Sequence, residues 1–309
     1  MSILLICNNK DPKPWAKALK AKLPDTSIEI YPAVSDPAAV DYLICWKPQP
    51  DTFRQFPNLK VIQSLGAGVE HITRTNTIDH SQLLTRIVDP NLAIDMWEFL
   101  LALVMNNLKQ LPLYAQQQMQ KKWQQHSYRT IKETTITVLG LGQIGTLVAE
   151  NFARLGFEVL GWSNSAKAIP GVQSYVGLAE LPECLSKTAI LINILPLTDR
   201  TEGILNKSKL QHLPQGAFLI NVGRGDHLIE SDLIQLLDND HLSGAFLDVF
   251  SAEPLPQEHP FWCHPKISVT PHIASLTNVQ SAVEQLVENY QRFKTGRALL
   301  HQVSLEKGY

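Results

Sequence analysis

The stretch from Thr135 to Trp162 constrains the fold of this chain more than any other. It reads as strand, glycine turn, helix and second strand. Thr135–Leu139 is a short apolar, β-branched run. Gly140, Gly142 and Gly145 then fall at the three glycine positions of a G-x-G-x-x-G turn, with Gln143 and Ile144 between the last two. Thr146–Leu155 has a helical pattern with Leu147, Val148, Phe152 and Leu155 on one face; Gly156 reads as its C-cap and Phe157–Trp162 as the next strand. In this context each glycine has a task. The first permits the tight turn, the second lets backbone N–H groups approach a pyrophosphate, and the third lets helix and strand pack closely. The helix N-terminus then points at the phosphates. An ordinary βα turn using glycine for positive φ is the plainer reading, and the complete strand–helix–strand setting weighs against it. The segment predicts a dinucleotide site.

Composition sets the outer bounds. With 309 residues the chain has room for two domains. A hydrophobic content of 44% against 18% charged residues suits a sizeable core. The formal net charge of −2, without a basic stripe, gives nucleic acid no role as a partner. Cys7, Cys45, Cys184 and Cys263 are widely spaced, which argues against a disulfide framework or zinc knuckle and fits a reducing cytoplasm. Ile3–Cys7 is too short for a signal-peptide core and reads as a first strand. No apolar run approaches the ~18 residues of a membrane span, so no membrane role is expected.

The alternation along the chain predicts an α/β protein with two parallel-sheet domains. Candidate strands are Ile3–Cys7, Ile28–Tyr31, Tyr42–Trp46, Leu59–Ser64 and Leu83–Arg86. One long helix is expected over Leu92–Leu111, with Met96, Phe99, Leu100, Leu103 and Val104 apolar. The glutamine- and lysine-rich stretch Gln116–Gln125 reads as a solvated helix or connector in which Trp123 needs burial. After the glycine turn, strands are expected at Ala189–Ile194, Ala217–Asn221, Gly244–Leu247 and Ile267–Thr270, with a helix at Glu230–Leu237. A last amphipathic helix, Asn278–Phe293, is too small for a domain; the economical reading returns it to the N-terminal unit.

Three residues stand just beyond predicted strands. Arg224 lies in Asn221-Val222-Gly223-Arg224-Gly225, Glu253 in Asp248-Val249-Phe250-Ser251-Ala252-Glu253-Pro254, and His272 in Thr270-Pro271-His272-Ile273-Ala274-Ser275. Ligands of open α/β sheets bind beyond the carboxyl ends of the strands, so the three together make a plausible catalytic set. Taken singly each has a plainer role: an arginine capping carbonyls, a loop charge before proline, a structural histidine. His259 and His264 flank Pro260-Phe261-Trp262-Cys263, but no further ligand follows at a recognisable metal spacing, and no metal is expected.

On these segments the chain resembles the D-isomer-specific 2-hydroxyacid dehydrogenase family, and within it the glyoxylate/hydroxypyruvate reductase A branch. The likeness runs along nearly the whole sequence. It includes Leu65-Gly66-Ala67-Gly68-Val69, the glycine turn, Ile194-Leu195-Pro196-Leu197-Thr198, and the Arg224, Glu253 and His272 segments. The resemblance implies two Rossmann/flavodoxin-like domains with the active-site cleft between them. Residues 1–96 and 275–309 would form a discontinuous substrate domain and 97–274 the NAD(P)-binding domain. It also implies reduction of a small 2-oxo acid by NADPH or NADH in a homodimer. Hydride addition to the carbonyl carbon needs a proton for the oxygen, and histidine suits that near neutral pH. His272 is the implied acid. Glu253 would favour its imidazolium, raising the histidine pKa. Arg224 would bind the substrate carboxylate through its paired donors.

Further contacts follow from the same resemblance. Leu65, Gly66, Ala67 and Gly68 would cradle the carboxylate through backbone N–H groups, a reading that outweighs the plainer one of a simple strand-to-helix turn. Leu195, Pro196, Val222, Gly223 and Asp248 would line the cofactor, Asp248 through the nicotinamide carboxamide. Trp46 and Lys47, with Met96 and Trp97, fall where the family's pocket and hinge lie; core packing suits them as well. Phe261 or Trp262 would approach the pocket. The second dinucleotide strand ends in Trp162-Ser163-Asn164-Ser165, without the acid of an NAD-specific site, and Lys167 follows. That leans the choice toward NADPH over NADH. Gly223 stands where an alanine is common before the catalytic arginine. A reductase for a larger 2-oxo acid, or a non-catalytic dinucleotide-sensing protein on the same fold, remain as alternatives.

Overall fold

The computed structural model describes residues 2–306 and 308. The chain forms two compact units, Met1–Asn91 with Thr277–Tyr309, and Leu92–Leu276.

The first unit is a five-stranded sheet of β1 (Ser2–Cys7), β2 (Ser27–Ile30), β3 (Val40–Trp46), β4 (Val61–Ser64) and β5 (Leu83–Thr85). The spatial order is β2-β1-β3-β4-β5, and every ladder is parallel. Helices must cover both faces of such a sheet, so its strands read as continuous apolar runs: Tyr42, Leu43, Ile44 and Cys45 are all buried. The helices Lys13–Lys22 and Val279–Lys294 pack together in this unit. The second starts at Asn278, whose Oδ1 accepts the Gln280 N–H at 2.8 Å. It buries Ala282, Val283, Leu286 and Tyr290. A buried polar bond fastens it to the sheet: Asn289 Nδ2 donates to Gln63 Oε1 at 2.8 Å, which also accepts Thr85 Oγ1 at 2.6 Å. The Tyr290 ring meets Tyr42 edge-on at 5.3 Å.

The second unit is a seven-stranded parallel sheet of β6 (Thr135–Leu139), β7 (Glu158–Ser163), β8 (Val172–Val176), β9 (Ile190–Asn193), β10 (Ala217–Asn221), β11 (Leu242–Leu247) and β12 (Ile267–Val269). Its order is β12-β11-β10-β9-β6-β7-β8, which reverses direction between β9 and β6. The register aligns Trp162, Leu139, Asn193, Asn221 and Leu247 in one row across five strands. Every loop that leaves this row therefore starts at the same edge. Period-two alternation divides the core. Ile136, Val138, Ile190, Ile192 and Ile220 face Met96, Leu100, Val104, Val148 and Phe152 of the helices Pro90–Leu108 and Gln143–Arg154. Leu139, Leu191, Leu219 and Leu247 join the opposite layer, with Leu181, Leu185, Leu233 and Leu237 of the helices Gly177–Ser186 and Glu230–Asp238.

Four sequence expectations need correction. The long helix stops at Leu108, not Leu111, because Gln110 takes a left-handed φ of 53° and a second helix, Leu111–Met119, begins with Pro112 in its first turn. Residues 122–130 have no regular structure, and Trp123 is 99% exposed rather than buried. On the helix after the glycine turn, Leu155 is 45% exposed; Val148, Ala149 and Phe152 make the buried face instead. Strand β8 and the helix Gly177–Ser186 were not anticipated: β8 is an edge strand in which Tyr175 is the buried residue.

Candidate active site

The glycine turn sits at the point where the strand order reverses. Gly140 has φ of 103°, and a Cβ there would lie 3.0 Å from the Ile194 carbonyl oxygen. A Cβ on Gly145 would lie 1.8 Å from the Gly140 carbonyl oxygen, so only glycine lets the helix start this close to the strand. A Cβ on Gly142 would meet nothing within 4 Å among the described residues. Gly142 and Gln143 are exposed and Ile144 is half-buried. Tight first and third glycines around an open second one, at the start of a twelve-residue helix, fit a pyrophosphate. At the end of β7, Ser163 Oγ donates to the Ser165 carbonyl at 2.7 Å, turning the chain so that Asn164, Ser165 and Lys167 are exposed. Leu195 is buried and Pro196 exposed at the end of β9; Val222 and Gly223 are buried after β10.

Arg224 follows β10. It is half-buried, and its Nη1 donates to the Gly223 carbonyl at 2.6 Å. The next residue joins two loops. A Cβ on Gly225 would lie 1.9 Å from the Phe250 carbonyl carbon and 2.2 Å from the Ser251 nitrogen. The Arg224 loop therefore presses backbone to backbone on the segment that carries Glu253. Gly225→Ala should force these loops apart. We expect kcat/KM to fall at least about tenfold and stability to drop by about 1–3 kcal/mol, read from steady-state kinetics and thermal melts. Parental values for both would contradict this.

His272 sits in a turn after β12 with φ of 56°, a left-handed conformation uncommon for a side chain of this size. Buried Asp248 holds the turn. Its Oδ1 accepts Thr270 Oγ1 at 2.5 Å and the Ile273 N–H at 2.8 Å, and its Oδ2 accepts the Ala274 N–H at 2.9 Å. The Asp248 carboxylate thus anchors the His272 turn. His272 Nδ1 lies 3.0 Å from both Oε1 and Oε2 of Glu253. Glu253 Oε1 also accepts the Phe250 N–H at 3.3 Å. With Nδ1 held by the carboxylate, Nε2 is the ring nitrogen left for a proton transfer. The imidazole is one-third exposed.

In the first unit, Trp46 ends β3 and the 65–68 loop follows β4. Ser64 shapes that loop: its Oγ accepts the Gly66 N–H at 3.1 Å and donates to the Gly68 carbonyl at 3.0 Å. The Gly66 N–H is thus committed within the loop, contrary to the sequence expectation that it is offered to a ligand. Ala67 and Gly68 are half-buried, and among the described residues their N–H groups have no protein acceptor. Trp46 closes over Gly66, where a Cβ would lie 2.5 Å from the indole. Lys10 Nζ stands 3.9 Å from the Trp46 ring centroid, and the His71 ring is 4.5 Å away. Burial lowers the Lys10 pKa.

Other candidates have structural roles. His259 donates from Nε2 to Glu230 at 3.1 Å, and His264 from Nε2 to Asp238 at 3.3 Å, clipping the segment after Glu253 to the helix Glu230–Asp238. Phe261 is a core residue; Trp262, half-exposed, donates to the Pro256 carbonyl at 2.8 Å. Trp97 packs edge-on against Phe152 at 4.7 Å, and Met96 is buried in the same layer. Among the described residues no group of three or more His, Cys, Asp or Glu could hold a metal ion. Burial pushes the Cys7 and Cys184 thiols up to about 12, which leaves no nucleophilic thiolate there. Sequence reading missed His227, Asn193 and Asn221, all fully buried behind Arg224. The available signal was two aligned apolar strands, β9 and β10, that both end in asparagine.

A glycine turn at the switch point, with a histidine–carboxylate pair and an arginine on loops from the same sheet, defines a nicotinamide-dependent oxidoreductase. Residues 101–274 match the model of the NAD-binding domain of D-isomer-specific 2-hydroxyacid dehydrogenases. A glyoxylate/hydroxypyruvate reductase A of Yersinia enterocolitica is 37% identical over 302 residues, 96% of each chain. A D-isomer-specific 2-hydroxyacid dehydrogenase of Xanthobacter autotrophicus, solved with NADPH, superposes with a TM-score of 0.94 at 37% identity, over 100% of this chain and 99% of its own. An NADPH-dependent glyoxylate/hydroxypyruvate reductase of Sinorhizobium meliloti, solved with NADP and sulfate, gives 0.93 at 33% identity over 100% of both chains. The chain belongs to the D-isomer-specific 2-hydroxyacid dehydrogenase family.

Proposed function

We propose that this chain reduces glyoxylate and hydroxypyruvate to the 2-hydroxy acids, with NADPH preferred over NADH. The observation that carries the reading is His272 Nδ1 held at 3.0 Å by both oxygens of Glu253. Bound NADPH supplies the hydride. The Gly140–Gly145 turn and the helix after it bind the pyrophosphate. Ser163, Asn164 and Lys167 receive a 2′-phosphate without the repulsion that a carboxylate would impose. Arg224 grips the substrate carboxylate and draws charge from the carbonyl. His272 gives the Nε2 proton to the carbonyl oxygen, while Glu253 orients the ring and offsets its charge. In this reading residues 1–96 and 275–309 are the substrate domain and 97–274 the cofactor domain.

The test is kcat/KM for NADPH and NADH against glyoxylate, hydroxypyruvate, pyruvate and phenylpyruvate. An NADH preference overturns the cofactor assignment. Phenylpyruvate as best substrate favours a reductase for larger 2-oxo acids, and absence of turnover with every substrate favours a dinucleotide-sensing protein. Arg224→Lys keeps the charge but loses the two-pronged geometry, so KM for glyoxylate should rise strongly. A KM within about twofold of the parent, a change of ~0.4 kcal/mol, would reassign the carboxylate anchor.

We also propose a cytoplasmic homodimer joined through the second unit. Among the described residues no helix is long and apolar enough to cross a membrane. Leu111, Met119, Trp123 and Tyr128 are all more than half exposed along one segment. Beside them a cavity of about 550 Å³ is lined by Leu103, Leu113, Phe218 and Phe246. Exposed apolar side chains next to a hollow whose lining also includes Asn106, Asn107, Arg129 and Lys266 suit a self-complementary contact. Sedimentation at micromolar concentration should give twice the 34.6 kDa chain mass, and a single-chain mass would refute the dimer.

A further inference from the structure

The Arg224 loop is organised from behind by a buried imidazole. His227 is fully buried, and its Nδ1 accepts the Arg224 backbone N–H at 3.1 Å. Asn193 Nδ2 stands 2.9 Å from the same Nδ1 and also donates to Asn221 Oδ1 at 2.9 Å. Asn221 Nδ2 in turn donates to the Arg224 carbonyl at 3.0 Å, and its Oδ1 accepts the Gly223 N–H at 3.2 Å. Two donors converge on His227 Nδ1, so that atom carries no proton. The ring proton is on Nε2, which points at the Pro196 carbonyl at 3.3 Å. One neutral ring thus ties the loop after β10 to the loop after β9. Room for it comes from Gly223, where a Cβ would lie 2.9 Å from Asn193 Nδ2 and 3.0 Å from His227 Nδ1.

We propose that His227 is a positioning residue for the reduction. By accepting at Nδ1 it fixes the Arg224 backbone, and hence the direction of the guanidinium. The proposal rests on the reading of Arg224 as the anchor of the substrate carboxylate. Its chemistry is specific: an acceptor must occupy the Nδ1 position. Asparagine places an amide oxygen near that position. Glutamine places its oxygen near Nε2 instead, and leucine fills the space with neither.

The experiment compares His227→Asn, His227→Gln and His227→Leu with the parent. Its readouts are KM for glyoxylate, NADPH affinity by fluorescence, and oxamate binding to the NADP complex by calorimetry. Leaving buried donors unpaired at Leu or Gln should raise KM and weaken oxamate binding at least about tenfold. Asn should stay within about threefold of the parent in both. NADPH affinity should stay within about twofold throughout. If Leu does not fold, the contrast between Asn and Gln carries the test. Equal KM values for Asn and Gln overturn the proposal. So does a parallel loss of NADPH affinity, which marks a general structural defect. Arg224→Lys separates the two levels. If it leaves KM and oxamate binding unchanged, the anchor reading itself is wrong. If it raises both while His227→Leu does not, only the positioning role falls.

Discussion

Replacing His272 with glutamine should lower turnover by about 10²–10⁴-fold, the usual contribution of a positioned general acid, while NADPH binding persists. With Nδ1 held by Glu253, the ring is the group of the pair whose Nε2 can hand a proton to the carbonyl oxygen. Glutamine retains hydrogen-bonding capacity toward Glu253 but has no titrating proton. His272 occupies a left-handed conformation, so glutamine there also adds backbone strain. His272→Asn lessens that strain, because asparagine enters this region more readily than most residues. Both variants should therefore lose turnover alike, with melting temperatures close to the parent. Near-parental turnover in either, across pH 6–8, would transfer the acid role to another group.

The second large effect is expected in the glycine turn, and it separates two glycines of one motif. Gly145→Ala brings a methyl carbon to 1.8 Å from a backbone oxygen, which no side-chain rotation relieves. The helix Gln143–Arg154 has to shift away from β6. Overpacking of this kind costs about 1–3 kcal/mol or more, and the displaced helix start should weaken NADPH at least about tenfold. Gly142→Ala differs. Its Cβ enters open space, so the melting temperature should match the parent, but on the proposed cofactor site the methyl group would crowd the pyrophosphate and NADPH should still weaken. Melts and cofactor titrations of the pair decide the matter. A Gly145→Ala protein with parental melting and affinity would contradict the packing account.

How far the sequence could be read depended on whether the informative contacts were local. Thr135–Leu139 and Ala217–Asn221 coincide with observed strands because each is an apolar run bounded by polar or glycine residues. Strand β8 sits at a sheet edge with a polar alternation that resembles a loop. The break at Gln110 was hidden because apolar residues continue past it, and only the following proline marked it. In the candidate site, the places of Arg224, Glu253 and His272 just beyond strands were legible. The structure adds the Glu253–His272 contact, which joins residues 19 apart. The network behind Arg224 was not legible. Asn193 reaches partners 28 and 34 residues away, and a buried polar group carries no periodic signature. The Gly66 N–H was misassigned because the acceptor that takes it, Ser64, is a neighbouring side chain rather than part of the glycine pattern.

The partition of the chain has a consequence for how it is born. Leu92–Leu276 is one uninterrupted stretch, so the seven-stranded unit can fold as soon as it clears the ribosome. The five-stranded unit starts earlier yet finishes later, since its sheet is emitted first and its covering helix, Val279–Lys294, last. Until that helix arrives, Gln63 lacks its bond from Asn289 and Tyr42 lacks the ring of Tyr290. The nascent first unit therefore lacks one of its two long helices throughout synthesis of the second unit. Chaperone attention and truncation damage should both concentrate on that first unit.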